Sequence, residues 1–284
     1  MSRFILCAFA DEAGADIQEQ IRALNDNQIG YLEVRGVDGR NITALTVTQA
    51  KELNGLLKSR GIAVWSIGSP IGKIGIRDDF AKHLDTFKHT LELAEALAAS
   101  CIRLFSFFIP EGEKDAGIYR DEVMERLSRL CEAAKGSGVT LCHENEKGIY
   151  GDIASRCLDI HRQIPELKAV FDPANFVQCH QDTLEAWEML SPYVHYMHIK
   201  DARRDGTVVP AGKGDGNVGS LLGKFAAHGG RMLTLEPHLS VFSGLETLEH
   251  GEKSIVDSDV YPSQRAAFDA AVAALKLMIE EMPA

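Results

Sequence analysis

Four short segments hold the residue types that bind metal ions or move protons. They read His143-Glu144-Asn145-Glu146, Asp172-Pro173-Ala174-Asn175, His198-Ile199-Lys200-Asp201 and Glu236-Pro237-His238. Each lies at the end of a continuous apolar run, at 139–143, 169–171, 194–199 and 232–235. A single carboxylate in such a place is ordinarily a helix N-cap, and a single histidine on an apolar strand is ordinarily a hydrogen-bonded core residue. Four at equivalent places in consecutive units form a different pattern. A barrel would aim all of them at one axis, where three carboxylates repel unless a divalent cation lies among them. One imidazole with three carboxylate oxygens suits Mn²⁺, Zn²⁺, Co²⁺ or Mg²⁺.

That convergence needs the runs to be parallel strands of one sheet. Four more apolar runs precede them, at 4–9, 31–34, 63–67 and 102–107. The eight are spaced as βα units are, and most are unbroken rather than alternating, as strands covered on both faces should be. The stretches between read as helices. Ile17, Ile21 and Leu24 share one face of the first, and Thr46-x-x-Gln49 looks like a capping box ahead of Leu53, Leu56 and Leu57. Further helices are expected at 79–98, 120–135 (stopped by Gly136 and Gly138), 153–164, 183–190, 218–228 and 262–282, with Pro262 in the first turn of the last. Eight units over 284 residues, with no linker or low-complexity segment, predict a single-domain (β/α)₈ TIM barrel over 1–284 rather than an open doubly wound sheet. The connection at about 237–261 is long enough for a lid or a functional insertion.

Composition narrows the function. With 45% hydrophobic and 25% charged residues the chain has the material for a globular core, so disorder is excluded. A formal charge of −11 repels phosphate backbones, so nucleic acid is not an expected partner. No apolar stretch has the length of a membrane span, and the start lacks the pattern of a signal peptide. Six scattered cysteines without a C-x-x-C pair read as reduced thiols, so a cytoplasmic location is expected.

The four segments, with Cys142 ahead of the first, Phe171 ahead of the second and Leu235 ahead of the fourth, resemble the xylose-isomerase-like TIM barrel superfamily, and within it the sugar phosphate isomerase/epimerase branch. The resemblance implies that Glu144, Asp172, His198 and Glu236 hold one divalent metal ion. It further implies that Glu144 and Glu236 exchange protons with a sugar or related polyhydroxy carbonyl compound. At strand five Glu146 is the alternative to Glu144, or a substrate contact. Around the mouth, Glu33 and Arg35 are candidates for sugar hydroxyls or for an ion pair with each other. His143 and His238 neighbour the glutamates, Asn175 suits a substrate contact or a turn cap, and Lys200 suits an anionic group or charge balance.

The run Lys213-Gly214-Asp215-Gly216-Asn217-Val218-Gly219 contains G-x-G-x-x-G, but not in the first βα turn of a dinucleotide fold. It reads instead as a helix start whose amides and Lys213 could meet an oxyanion, the usual place for phosphate in barrels. A metal-dependent dehydratase or lyase fits the same scaffold as an isomerase or epimerase does. An apurinic-site endonuclease would want extra histidines after strands three and four, where Ser66–Ser69 and Phe105–Phe108 stand. A non-catalytic sugar-binding barrel is the remaining alternative. Homo-oligomers are common among such barrels, but no interface is marked in this sequence.

Overall fold

The computed structural model describes residues 3–242, 254–256 and 260–282. Eight parallel strands close on themselves. They are β1 Ile5–Ala8, β2 Tyr31–Val34, β3 Ala63–Gly68, β4 Cys101–Leu104, β5 Thr140–Glu144, β6 Lys168–Phe171, β7 Val194–Ile199 and β8 Met232–Leu235. Each pairs with its sequence neighbours, and β8 closes on β1 with Ile5 opposite Met232 and Ala8 opposite Leu235. This is the expected (β/α)₈ barrel.

The surrounding helices are α1 Ile17–Asp26, α2 Val47–Ser59, α3 Phe80–Leu97, α4 Arg120–Ala134, α5 Ala154–Gln163, α6 Pro173–Gln178, α7 Thr183–Leu190, α8 Val218–Ala227 and α9 Gln264–Glu280. Local chemistry fixes their starts. Asp16, Asp79 and Asp182 cap α1, α3 and α7 by accepting first-turn amides, and the Thr46–Gln49 capping box is present at α2. Ser263 caps α9, so Pro262 stands outside the helix rather than in its first turn. The short α6 escaped the sequence reading because Asp172 and Pro173, which open it, look equally like a loop.

The fourth apolar run is a strand only to Leu104. Phe105 and Phe107 leave the ladder to donate their amides to Ile71 and Gly72, and Phe107 takes a positive φ of 67°. Of the connection at about 237–261, residues 243–253 and 257–259 lie outside the described residues. Its described part pairs Ile255 with Thr207, and Ser254 Oγ accepts from Lys147 Nζ and Gln178 Nε2.

Two hydrophobic layers result. The larger lies between strands and helices. The smaller joins Cys7, Cys101, Cys142, Val170, Tyr196 and Met232, whose six strands can meet only across the lumen. Cys101 and Met232 begin their strands, so this layer floors the barrel at its amino end and leaves the carboxyl end to the polar residues. Among the described residues no helix is long and apolar enough to cross a membrane.

Candidate metal centre

At the carboxyl ends of β5 to β8, Glu144, Asp172, His198 and Glu236 are fully buried, and each offers a ligand atom within 4.8 Å of the others. Each carboxylate is held by one oxygen and turned inward by the other. Arg103 donates to Glu144 Oε2 at 2.7 Å and Arg35 to Glu236 Oε1 at 2.8 Å. Asp172 Oδ1 caps α6 by accepting from the Asn175 amide at 3.0 Å. The ordinary reading of that aspartate, an N-cap, therefore holds for one oxygen only. The inward atoms are Glu144 Oε1 and Glu236 Oε2, at 2.9 and 3.2 Å from His198 Nδ1, and Asp172 Oδ2. Asp172 Oδ2 is buried without a hydrogen bond, its nearest cation being Lys200 Nζ at 3.0 Å.

Of the two readings of Lys200, the structure shows charge balance, and Arg35 and Arg103 add to it. Six buried carboxylates, Asp11, Glu12, Glu33, Glu144, Asp172 and Glu236, surround three buried cations, Arg35, Arg103 and Lys200. The cluster is thus partly balanced yet still short of positive charge by three, a deficit that a divalent cation would reduce to one. The titrations express the same deficit. Burial opposes the charge on His198, but Glu144 and Glu33 raise its pKa well above the usual value. Burial pushes the Asp172 carboxyl up to about 6 despite Lys200. Glu144 and Glu236 stay below the usual range against burial, through His198 and Arg103 for the first and Lys200 and His238 for the second. Three inward carboxylate oxygens and an imidazole nitrogen fit a divalent ion.

The other predicted residues divide. Glu33 does not pair with Arg35. It lies beneath the cluster, accepting from Tyr196 Oη at 2.8 Å and Ser66 Oγ at 3.2 Å through Oε1, and facing His198 Nε2 at 3.3 Å through Oε2. Arg35 is sandwiched between the rings of Phe9 and Phe242, at 4.4 and 4.7 Å, and binds Asp11 and Glu12 as well as Glu236. Asn175 Nδ2 donates to Asn145 O at 2.9 Å and lies 3.4 Å from Glu144 Oε1, so it positions the strand-five glutamate. Glu146 stands outside the cluster, paired with Lys73 at 3.1 Å. His238, at a positive φ of 47°, places Nε2 3.5 Å from both Glu12 and Glu236, with neither ring nitrogen hydrogen-bonded.

Two expectations fail geometrically. His143 follows the alternation of β5 to the opposite side from Glu144, bonding Ser106 Oγ at 3.0 Å and packing against His161 of α5. It does not reach the cluster. The glycine-rich loop does enclose an anion, but an internal one. Asp201 accepts from the amides of Ala202, Gly212, Gly214 and Gly216 at 2.9 to 3.0 Å. A Cβ on Gly214 would lie 2.4 Å from Asp201 Oδ1, which explains the glycine, and Lys213 stands exposed on the outside of the loop.

Sequence reasoning missed Asp11, Glu12, Lys73, Arg103 and Tyr196. Arg103 carried a signal, because an arginine inside an apolar strand must find an anion. Asp11 and Glu12 sit in a single 3-10 turn after β1, Lys73 in a loop, and Tyr196 reads as core.

The comparisons agree with this architecture. The solved D-psicose 3-epimerase from Clostridium cellulolyticum H10, determined with D-tagatose, superposes with a TM-score of 0.73 at 15% identity over 98% of both chains. A probable 3-DHS dehydratase, AsbF of petrobactin synthesis in Bacillus anthracis, gives 0.72 at 16% identity over 99% of this chain and 100% of its own. The IOLI protein, solved with a bound zinc atom, gives 0.73 at 12% identity over 99% of both. Identities this low establish the fold alone. No curated protein matches the sequence significantly. The profile of one family covers residues 8–256, and by that match the chain belongs to the xylose isomerase-like TIM barrels.

Proposed function

We propose that this chain is a metal-dependent isomerase or epimerase of a sugar or related polyhydroxy carbonyl compound. The observation that carries the reading is the buried meeting of Glu144, Asp172, His198 and Glu236, each with one ligand atom turned toward the others. These four would hold the ion, which when bound supplies Lewis-acid polarisation of the substrate carbonyl.

The protein's own groups supply the proton chemistry. Glu144 ends β5 and Glu236 directly follows β8, the outer two of four consecutive strands, so a substrate at the centre has one carboxylate on each side. One takes the proton from the carbon beside the carbonyl. Return to the neighbouring carbon isomerises, and delivery from the opposite side inverts the centre. Arg103 and Arg35 hold the two glutamates in place, and the rings of Phe9 and Phe105 shield Arg103 from water. The solved epimerase among the structural neighbours supports this class.

A dehydratase reading has its own support in His238 and in the dehydratase neighbour. Expulsion of a β-hydroxyl needs a proton donor at the leaving oxygen, and an imidazole without hydrogen bonds stands beside Glu236. Two measurements separate the readings. Elemental mass spectrometry should find about one Mn²⁺ per chain after loading, lost in Asp172→Ala. Ketoses incubated in D₂O should then gain deuterium without losing water. No Mn²⁺ uptake would sink the metal-dependent reading, and water loss without exchange would favour the dehydratase.

A further inference from the structure

At the floor of the barrel, opposite the carboxylate mouth, lies a second cluster of metal-ligating atoms. Cys101 Sγ, Cys142 Sγ and a ring nitrogen of His195 lie within 4.8 Å of one another. The barrel brings them together from β4, β5 and β7, with Cys101 opposite Thr140 and Arg103 opposite Cys142 in the β4–β5 ladder. We propose that Cys101, Cys142 and His195 form a binding site for a thiophilic divalent cation of the zinc type, separate from the carboxylate centre.

Three features of the floor favour this assignment. The first is donor type, since two thiolates and an imidazole are the ligands zinc takes in its tetrahedral sites, with solvent free to supply a fourth. The second is charge. The ion and two thiolates sum to zero, so the loaded site is neutral where it is packed against Val170, Tyr196 and Met232, and carries no ionic burial penalty of the kind an acidic cluster would. The third is preorganisation. Trp65 stacks on His195 at 5.6 Å and 17°, fixing the ring plane, while Cys101 Sγ points at Trp65 O at 3.7 Å. His195 is held neutral by burial and by Lys168, which leaves a lone pair for a ligand, and it is only half-buried, so the cluster has a route to solvent. The contact with Cys142, and burial after it, raise the Cys101 thiol, so loading must displace its proton and weaken as pH falls.

The test uses Co²⁺ added to the whole reduced protein, because thiolate-to-cobalt charge transfer absorbs in the near ultraviolet and carboxylate or imidazole ligation does not. The expected result is a stoichiometric charge-transfer band that Zn²⁺ bleaches. The band persists in Asp172→Ala, which lacks a mouth ligand, and in Cys131→Ser, and it disappears in Cys142→Ser. His195→Ala, a change at a half-exposed position, should also abolish it, which keeps the test decisive if Cys142→Ser fails to fold. Absence of the band at excess Co²⁺ overturns the proposal, as does a band that survives in either Cys142→Ser or His195→Ala. Because Asp172→Ala separates the two centres, failure at the floor leaves the mouth unaffected.

Discussion

Glu33→Gln isolates how the proposed metal ligand His198 is held. In the wild type Oε1 of Glu33 accepts from Tyr196 Oη and Ser66 Oγ, while Oε2 faces His198 Nε2 at 3.3 Å. His198 Nδ1 is the nitrogen turned toward Glu144 and Glu236, so ligation there needs the ring proton on Nε2, where Glu33 accepts it. Glutamine keeps the carbonyl for Tyr196 and Ser66 but presents an N–H₂ to Nε2, which drives the proton to Nδ1 and blocks ligation. Partners of this kind change metal affinity by about 10- to 100-fold, or about 1.4 to 2.8 kcal/mol. Stability should move much less, since only one contact changes character. Glu33→Ala reverses the emphasis. It strands two buried hydroxyls, which lie 3.3 Å apart and can partly satisfy each other, at a cost of about 1 to 3 kcal/mol. Mn²⁺ titration by calorimetry and thermal melting of both variants give the two numbers. Wild-type Mn²⁺ affinity in Glu33→Gln would refute the tautomer argument.

Three further outcomes follow from the same contacts. Lys200→Met removes the cation beside Asp172 Oδ2 and Glu236 Oε2, so the metal-free protein should lose about 3 to 5 kcal/mol by chemical denaturation, and saturating Mn²⁺ should stabilise the variant more than the wild type. Burial, and for His143 also the neighbouring His161, lowers the folded pKa of His143 to about 3, while burial lowers that of His161 to about 4, both below the unfolded value, so the unfolded chain binds more protons. Stability should therefore fall as pH drops from neutrality, by about 2 kcal/mol for each histidine at pH 5, and His161→Gln should flatten the slope in pH-dependent urea unfolding. Asp201→Ala strands four loop amides and should cost about 2 to 4 kcal/mol in the same assay, with the Mn²⁺ stoichiometry unchanged, because that carboxylate serves the loop and not the centre.

How much of this was legible in the sequence depends on the range of the interaction. The strands could be read because burial on both faces writes unbroken apolar runs, and the cap at Thr46 because a capping box is a contact over three residues. The convergence of the four strand ends could be read because a barrel brings equivalent ends together whatever the sequence distance, while the choice of Glu144, Asp172, His198 and Glu236 among their residues came from the family resemblance. What compensates them could not. Arg35 reaches Glu236 across 201 residues and Tyr196 reaches Glu33 across 163, and no local pattern records either.

The same limit explains the two reversals. Side-chain alternation turns His143 away from the mouth that its neighbour enters, and the strand's end alone does not say which of two adjacent residues faces inward. The glycine pattern after β7 does signal an anion, as its spacing suggested. Its partner is Asp201, placed upstream in the same chain, so a motif for oxyanion binding here builds a loop. A glycine-rich turn therefore points to a ligand only after the nearby carboxylates have been shown to face elsewhere. By that criterion Asp172 Oδ2 is the stronger signal in this barrel, because it is the buried acceptor among the four whose hydrogen bond the fold does not supply.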